Sequence, residues 1–319
     1  MTVAFLGVNS VREVGQAVVS GIVAGGGYGL LGLAFALIFG VTGRFHFAFG
    51  ILYAITAYIA AVAVGSWGLP LVPAALVGVA IGTVLGVLVE AVVYRPLASR
   101  AGENALLGIF VASLGLMIAG ENLIRLVWGN DTRNLGGFPQ HTYTVANVNF
   151  SLLQVCAVAA GLAIATILTV VLARTGFGQQ VRAVRGNPDM AQAIGIDVRR
   201  IFLAVFAIGT LAGGVQALFD GMRFATTPDM GNTPVFYAFV VAFVAGTRRS
   251  PLTVFAVGVA IGLVESLSTL WVSDNLSSLT VFGLLFVILS IRSVPSGIRE
   301  LSGALSRPRR LGPARLGGA

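Results

Sequence analysis

Acidic residues stand inside long apolar runs at two places in this sequence. Glu265 lies in the middle of the run LTVFAVGVAIGLVESLSTLW, and Glu121 precedes Arg125 by four residues in MIAGENLIRLVW. That spacing puts Glu121 and Arg125 on one helix face, so we predict a structural ion pair. Charges in apolar segments are costly and face a bundle interior or an aqueous cavity. Two interpretations of Glu265 therefore stay open, a hydrogen bond between packed helices or a role in a polar pathway.

A short segment from Arg44 to Gly50, RFHFAFG, separates two apolar runs and is called the break. Irregular backbone at membrane depth is tolerated where it lines a cavity or is buried in protein. The pathway candidates here are consequently His46, Phe47, Ala48 and Gly50. The alternative is an interfacial turn that holds His46 among lipid headgroups.

The segment RTGFGQQVRAVRGNPDMAQAIGIDVRR, residues 174–200, is amphipathic and rich in arginine, including Arg182, and is called the basic loop. Asn187 can cap a short helix, Pro188 suits the first helical position and Asp189 complements the positive helix end. Gly195 can terminate the helix. We predict a short helix at the cytoplasmic face of the membrane, and the alternative is an ordinary connector between two spans.

Several chemistries are excluded by residues that the sequence lacks. All twenty basic residues are arginine, so there is no lysine for a phosphate-binding P-loop or a Schiff base. The single cysteine, Cys156, lies in an apolar run and is expected to be a packing residue. His46 and His141 are far apart and lack the carboxylates that a metal site needs. We predict no catalytic residues, no metal and no cofactor.

The elements that must position these residues follow from composition. Hydrophobic residues make up 56% of the 319 residues and charged residues 10%, with a mean hydropathy of +0.92, whereas soluble domains carry about 25% charged residues. We expect an all-α, polytopic transmembrane bundle of about eight to ten spans, each needing roughly 20 apolar residues. The domain covers residues 1–300, and a flexible basic tail covers 301–319. Nine candidate spans are Gly15–Gly40, Ile51–Trp67, Leu71–Val93, Ala105–Val127, Ser151–Ala173, Ile201–Phe219, Val235–Gly246, Leu252–Trp271 and Leu279–Ile291.

Arginine placement predicts the orientation of the chain, because cytoplasmic loops carry the basic excess. With nine spans and an external N-terminus, sixteen of the twenty arginines fall in internal segments. The net charge of +8 is then explained by membrane topology, and no nucleic-acid partner is expected. The loop from Gly129 to Phe150 is expected outside. Glu90, just before Tyr94 and Arg95, is expected to pair locally at the inner surface.

Glycines recur at four-residue spacing on several predicted helices. Gly78, Gly82 and Gly86 share one face, as do Gly25 with Gly29 and Gly258 with Gly262. Small residues at this spacing let neighbouring backbones approach closely. We expect tight helix packing along these faces.

The basic loop resembles the pattern FGxxxRAVxxxPxxAxxxGI of permease subunits of branched-chain amino acid ABC importers. The resemblance extends to GGGYGLLGLAFALIFGVTGRFHFAFGILYAITAYIA, VYRPLASRAG and PDMG. Two segments depart from the family: His46 and Phe49 replace polar positions in the break, and AGTRRSP replaces a Gly-rich turn. The loop residues that match are Phe177, Gly178, Arg182, Ala183, Val184, Pro188, Ala191, Gly195 and Ile196.

The resemblance implies a permease subunit in the cytoplasmic (inner) membrane of a bacterial-type cell. It implies that residues 187–195, with Ala191, form a coupling helix that docks on a separate ATPase subunit. The implied partners are a second permease, two ATPase subunits that bind ATP and an extracytoplasmic solute-binding protein. The alternatives are a permease for urea, amides or sugars, and a secondary transporter coupled to protons through Glu265 or His46.

Overall fold

The computed structural model describes residues 11–100, 102, 105–139, 141–145, 148–271 and 283. Along these residues the chain forms eleven α-helices, a π-helical segment at Val89–Tyr94, and a β-hairpin of β1 (Thr142–Val145) and β2 (Val148–Ser151). The helices are α1 (Val11–Thr42), α2 (Phe49–Gly65), α3 (Leu71–Leu88), α4 (Arg95–Arg100), α5 (Ala105–Trp128), α6 (Leu152–Arg174), α7 (Gly176–Gly186), α8 (Pro188–Ala193), α9 (Val198–Arg223), α10 (Asn232–Ala245) and α11 (Pro251–Ser268).

Six helical stretches in the described residues are long and apolar enough to cross a membrane, and α2 and α10 are shorter apolar helices. Eight of the nine predicted spans coincide with these elements, while Leu279–Ile291 and the tail 301–319 lie outside the described residues, except for Gly283 within the span. The prediction of an all-α polytopic bundle is confirmed, and the chain is a multi-pass membrane protein. The six stretches are Arg12–Thr42, Leu71–Arg100, Ala105–Trp128, Leu152–Arg174, Val198–Arg223 and Pro251–Ser268.

Helix α1 is the centre of the bundle and contacts α6, α9, α10 and α11. Its closest neighbour is α11, because glycines face each other across the contact: Gly29 meets Gly258, and Gly25 meets Gly262. A Cβ atom at any of these four positions would press on the backbone of the other helix. The close approach predicted from the glycine spacing is confirmed.

The glycine face of α3 packs on two other helices. Gly78 and Gly82 lie against Thr56 of α2, and Gly86 lies against Thr210 of α9. The four-residue spacing of these glycines thus joins α2, α3 and α9 into one tight unit.

Large apolar side chains remain exposed on the outward faces of three helices, α3, α5 and α6. In water such a surface would be unfavourable, whereas lipid tails or another membrane subunit can cover it. Exposed examples are Val72, Leu76, Val84, Leu107, Val111, Ile118, Leu162 and Ile167.

The two ends of the bundle gather different segments. At one end Gln16 of α1 donates to the carbonyl of Asn149 in the hairpin at 3.1 Å, and Arg133 pairs with Thr226 through the backbone. The hairpin was not predicted. It pairs Tyr143 with Phe150, whose aromatic rings stack on the same sheet face. The opposite end holds the break and the basic loop, and which end faces the cytoplasm stays a prediction.

Candidate functional site

The basic loop folds into two helices, α7 and α8, joined at Asn187. The Asn187 side chain accepts hydrogen bonds from the backbone N–H groups of Asp189 at 3.0 Å and Met190 at 3.1 Å. Pro188 occupies the first turn, where its missing N–H leaves no bond unmade. Gly195 has φ +88°, a left-handed conformation that disfavours side chains, so the chain turns there before Asp197 caps α9.

Helix α8 has a buried and an exposed side. Ala191 is buried and belongs to a cluster that includes Val41 at the end of α1 and Phe206 of α9. Met190 and Ile194 are exposed, at 63% and 73%. An apolar pair this exposed at the polar end of a membrane bundle is suited to contact another protein.

Two further predicted residues of the basic loop differ in their contacts. The Arg182 guanidinium donates to the backbone carbonyl of Leu172 and thereby caps the last turn of α6. Asp189 is exposed in the first turn of α8. Arg182 therefore fixes the loop to a span, whereas Asp189 is free to face a partner.

The break forms a buried turn between α1 and α2. His46 is fully buried, with Nδ1 2.9 Å from the Tyr94 hydroxyl and its ring edge-on to Phe206. The alternative of an interfacial turn with His46 at the headgroups is wrong, because protein side chains surround the ring. The irregular backbone of the break is accommodated by burial in protein, and a pathway role for His46 stays a prediction.

The other pathway candidates of the break are buried too. Phe47 joins an aromatic cluster with Phe35, Phe110 and Phe239, and Ala48 is fully buried. Gly50 lets the start of α2 touch the backbone of Gly231 at the start of α10. The break thus holds α1, α2 and α10 together.

Arg44 of the break forms a buried ion pair with Glu90 of the π-helical segment. Only 8% of Arg44 and 1% of Glu90 are exposed, and the guanidinium lies 5.0 Å from the centre of the Phe202 ring. The expectation that Glu90 pairs locally is wrong, since Arg44 lies in another part of the chain. The π-helical turn directs Glu90 and Tyr94 inward, onto Arg44 and His46 of the break.

A cavity of about 490 Å³ separates this ion pair from the end of the basic loop. Its wall therefore contains both the break and the segment that follows α8. Its charged and polar lining residues are Arg44, Glu90, Arg95, Gln192, Asp197 and Arg199.

Glu265 of α11 is held by two tyrosines. The Tyr237 hydroxyl donates to Glu265 Oε1 at 2.6 Å, Tyr28 interacts with the same carboxylate, and the two tyrosine rings stack 4.1 Å apart. Glu265 therefore has the packing hydrogen bond that one interpretation required. Tyr28 and Tyr237 also line a cavity of about 110 Å³, so the two tyrosines that hold the carboxylate face this cavity.

Asp220 of α9 faces the same cavity and was missed by the sequence reasoning. Its carboxylate accepts from the hydroxyl of Tyr53 and from Gln216 Nε2, the latter at 3.1 Å. The predicted span ends at Phe219, one residue before Asp220, and Asp220 is not among the predicted site residues. The available signal was Gln216 four residues earlier, a second polar side chain on the same helix face.

The remaining predicted residues lie apart from these sites. Arg125 Nη2 lies 3.8 Å from Glu121 Oε2 on α5. Cys156 is a half-buried free thiol on α6. Within the described ranges, no group of three or more metal-ligating side chains comes together.

Comparison with known proteins decides the family. Residues 17–290 match the model of the branched-chain amino acid transport system permease component. The chain belongs to this family. The family is one of transport permeases, whose members work in complexes with other subunits.

The permease is similar to curated relatives along most of its length. It is 26% identical over 297 residues to the high-affinity branched-chain amino acid transport system permease protein BraD of Pseudomonas aeruginosa, covering 89% of this chain and 94% of the relative. It is 26% identical over 298 residues to the corresponding permease protein LivH of Escherichia coli, with the same coverage. PsaBC from Streptococcus pneumoniae in complex with Fab aligns with a TM-score of 0.46 and 15% identity over 86% of this chain and 89% of that one.

Proposed function

We propose that this permease is the membrane subunit of an ABC importer for branched-chain or other hydrophobic amino acids. The observation that carries the proposal is the capped helix α8 at one end of a chain that matches the family model over residues 17–290. The named function of the relatives supports the solute class. The proposed location is the cytoplasmic membrane of a bacterial-type cell.

The proposed partners follow from the missing P-loop lysine and from the apolar residues that the chain exposes. ATP would be hydrolysed on two separate subunits, since the sequence has no lysine for a P-loop. Those subunits would contact α8 through the exposed Met190 and Ile194, with Asp189 beside them. A second permease would cover part of the exposed apolar surface, and an external binding protein would deliver the solute.

Movement of α8 would reach the break through two contacts. Ala191 packs in the cluster that contains Val41 and Tyr94, and Tyr94 bonds His46. The cavity of about 490 Å³ leaves room for the segment after α8 to move toward the Arg44–Glu90 ion pair. In this proposal Arg182, Asn187, Pro188 and Gly195 hold α8 in register, and His46, Phe47, Ala48 and Gly50 form the element that responds.

The polar cavity of about 110 Å³ is the proposed point of solute recognition. Asp220 lines this cavity and supplies a carboxylate that suits an ammonium group, while Leu31 and Pro234 supply apolar wall. Glu265 acts from behind the wall, through its hydrogen bond from the lining residue Tyr237. A hydrophobic amino acid carries both kinds of group. A urea, amide or sugar permease would not need a carboxylate at this point.

The deciding experiment compares two glycines of the basic loop. Gly195→Val introduces a side chain where φ is +88°, at a cost of about 1 kcal/mol or more, without any atom in its way. Gly186→Val is the control, since Gly186 also has open space around it but no left-handed backbone. The full transporter, assembled from adjoining genes and reconstituted with solute and binding protein, is assayed for ATP hydrolysis and uptake.

We expect Gly195→Val to insert normally but to lose solute-stimulated ATP hydrolysis or copurification with the ATPase, and Gly186→Val to retain both. Full uptake by Gly195→Val that survives ATP depletion and collapses with the proton gradient would replace the proposal with a secondary carrier.

A further inference from the structure

Four arginines line one cavity at the end of the bundle that holds the basic loop. Arg182 and Arg185 come from α7, and Arg248 and Arg249 come from the turn that leads into α11. The cavity has a volume of about 200 Å³, and neither aspartate nor glutamate lines it. A cavity with this lining has an electrostatic potential that favours an anion.

None of the four arginines forms an ion pair among the residues that the structure describes, where the pairs are Arg44–Glu90, Arg125–Glu121 and Arg200–Asp197. The Nε of Arg185 is shielded from solvent and has no hydrogen-bond partner there. Burial, and next the charge of Arg248, lower the pKa of the Arg185 guanidinium. The charge of Arg248 thus disfavours the charged form of Arg185, and an anion in the cavity would offset that effect.

The chemistry of the cavity selects among anions. A guanidinium presents a planar fork of N–H donors that matches the oxygens of phosphate and can bind them in pairs. Arg248 and Arg249 are exposed, so they are free to close over an entering group. The first turn of α11 adds the positive end of a helix dipole beside them.

The position of the cavity relative to the membrane selects the source of the phosphate. Its other walls are the last turns of the span α6 and the start of the span α11, joined by a hydrogen bond from the Leu252 N–H to Thr169 Oγ1 at 3.0 Å. Leu172 and Pro251 give it an apolar side, and the exposed Val170 and Leu252 continue that side along the spans. A phosphate in the cavity would lie at headgroup depth, with apolar surface below it for acyl chains.

We propose that this cavity binds the phosphate of an anionic phospholipid, as basic pockets between membrane helices can do. Binding would hold α6, α7 and α11 together at the root of the basic loop. The site is separate from the polar cavity that contains Asp220, and it does not depend on which solute is transported.

The test measures phospholipid binding to the full-length chain by native mass spectrometry in detergent, with phosphatidylglycerol and phosphatidylcholine as the two probes. The wild type should bind phosphatidylglycerol more tightly than phosphatidylcholine. Arg185→Gln and Arg248→Gln should each weaken phosphatidylglycerol binding by about tenfold, the size expected for loss of a hydrogen bond to a charged group. Arg100→Gln is the control, since it removes an exposed arginine of α4 outside the cavity.

Three results would overturn the proposal. One is equal binding of the two lipids by the wild type. Another is an equal loss of affinity in Arg100→Gln and Arg248→Gln, which would indicate general surface charge. The third is displacement of phosphatidylglycerol by millimolar inorganic phosphate together with phosphate binding in lipid-free protein, which would assign the cavity to a soluble anion. Because Arg248 is exposed, its variant remains informative if Arg185→Gln fails to fold.

Discussion

Arg44 and Glu90 form a buried ion pair between the break, which follows α1, and the π-helical segment, which follows α3. Each charge neutralises the other, which matters because both side chains are almost fully shielded from solvent. The contact ties the turn between α1 and α2 to the membrane span that begins at Leu71. It therefore fixes the wall of the large cavity next to the basic loop.

Glu90→Gln should strongly destabilise the folded bundle. The substitution leaves the Arg44 charge buried without its counter-charge, a situation that costs about 3–5 kcal/mol. Denaturant titration of the protein in detergent measures the loss in the free energy of unfolding. The double variant Arg44→Met/Glu90→Met should recover most of it, because both charges are then absent.

The matched control for that prediction is Glu121→Gln. Its ion pair with Arg125 is longer, at 3.8 Å, and the arginine is exposed, so the expected loss is below about 1 kcal/mol. Similar losses for Glu90→Gln and Glu121→Gln would mean that the Arg44–Glu90 contact contributes little.

Gly258→Val should prevent assembly of α1 with α11. The new Cβ would collide with the backbone of Gly29, and neither helix can move away without opening the contact along its length. The yield of monodisperse protein in size-exclusion chromatography is expected to fall severely. Gly115→Val on α5 meets no atom within 4 Å and should leave the yield unchanged; equal yields would refute the tight contact.

Glu265→Gln should lower solute uptake while the amount of folded protein stays the same. The glutamine can still accept the hydrogen bond from Tyr237, so the substitution removes charge and little else. Uptake of labelled amino acid into reconstituted vesicles is the measurement. Normal uptake would assign Glu265 to helix packing.

Asp220→Asn should reduce uptake by about tenfold or more, a loss equivalent to ~1.4 kcal/mol of recognition. The asparagine keeps one oxygen for Tyr53 but cannot supply a negative charge to an ammonium group. Tyr53→Phe serves as the comparison, because it removes the partner and leaves the charge. A larger uptake defect in Tyr53→Phe than in Asp220→Asn would contradict a charge-based role for Asp220.

The orientation predicted from the arginines can be tested by cysteine labelling. In a Cys156→Ala background, cysteine at the exposed Thr142 of the hairpin should react with an impermeant reagent in intact cells. Cysteine at Ser306, in the predicted basic tail, should react only after the membrane is opened. Equal labelling of both positions in intact cells would refute the predicted orientation.

Sequence alone determined the features that depend on residues close together along the chain. The spans were readable because a length of apolar chain must be helical in lipid. The cap at Asn187 and the turn at Gly195 were readable because caps and left-handed positions have narrow residue preferences. The glycine faces of α1, α3 and α11 were readable because a four-residue spacing repeats on one helix face. The coupling and pathway roles of the predicted residues stay predictions.

Only the tertiary structure decided which helices face one another. The local pairing expected for Glu90 was wrong because its partner, Arg44, belongs to the turn between α1 and α2, far away along the chain. Asp220 was overlooked because its importance comes from Tyr53, a residue of another helix. Hydropathy along the chain predicts that a charge is buried. The partner that stabilises the charge depends on helix packing, because packing brings together residues that are far apart in sequence.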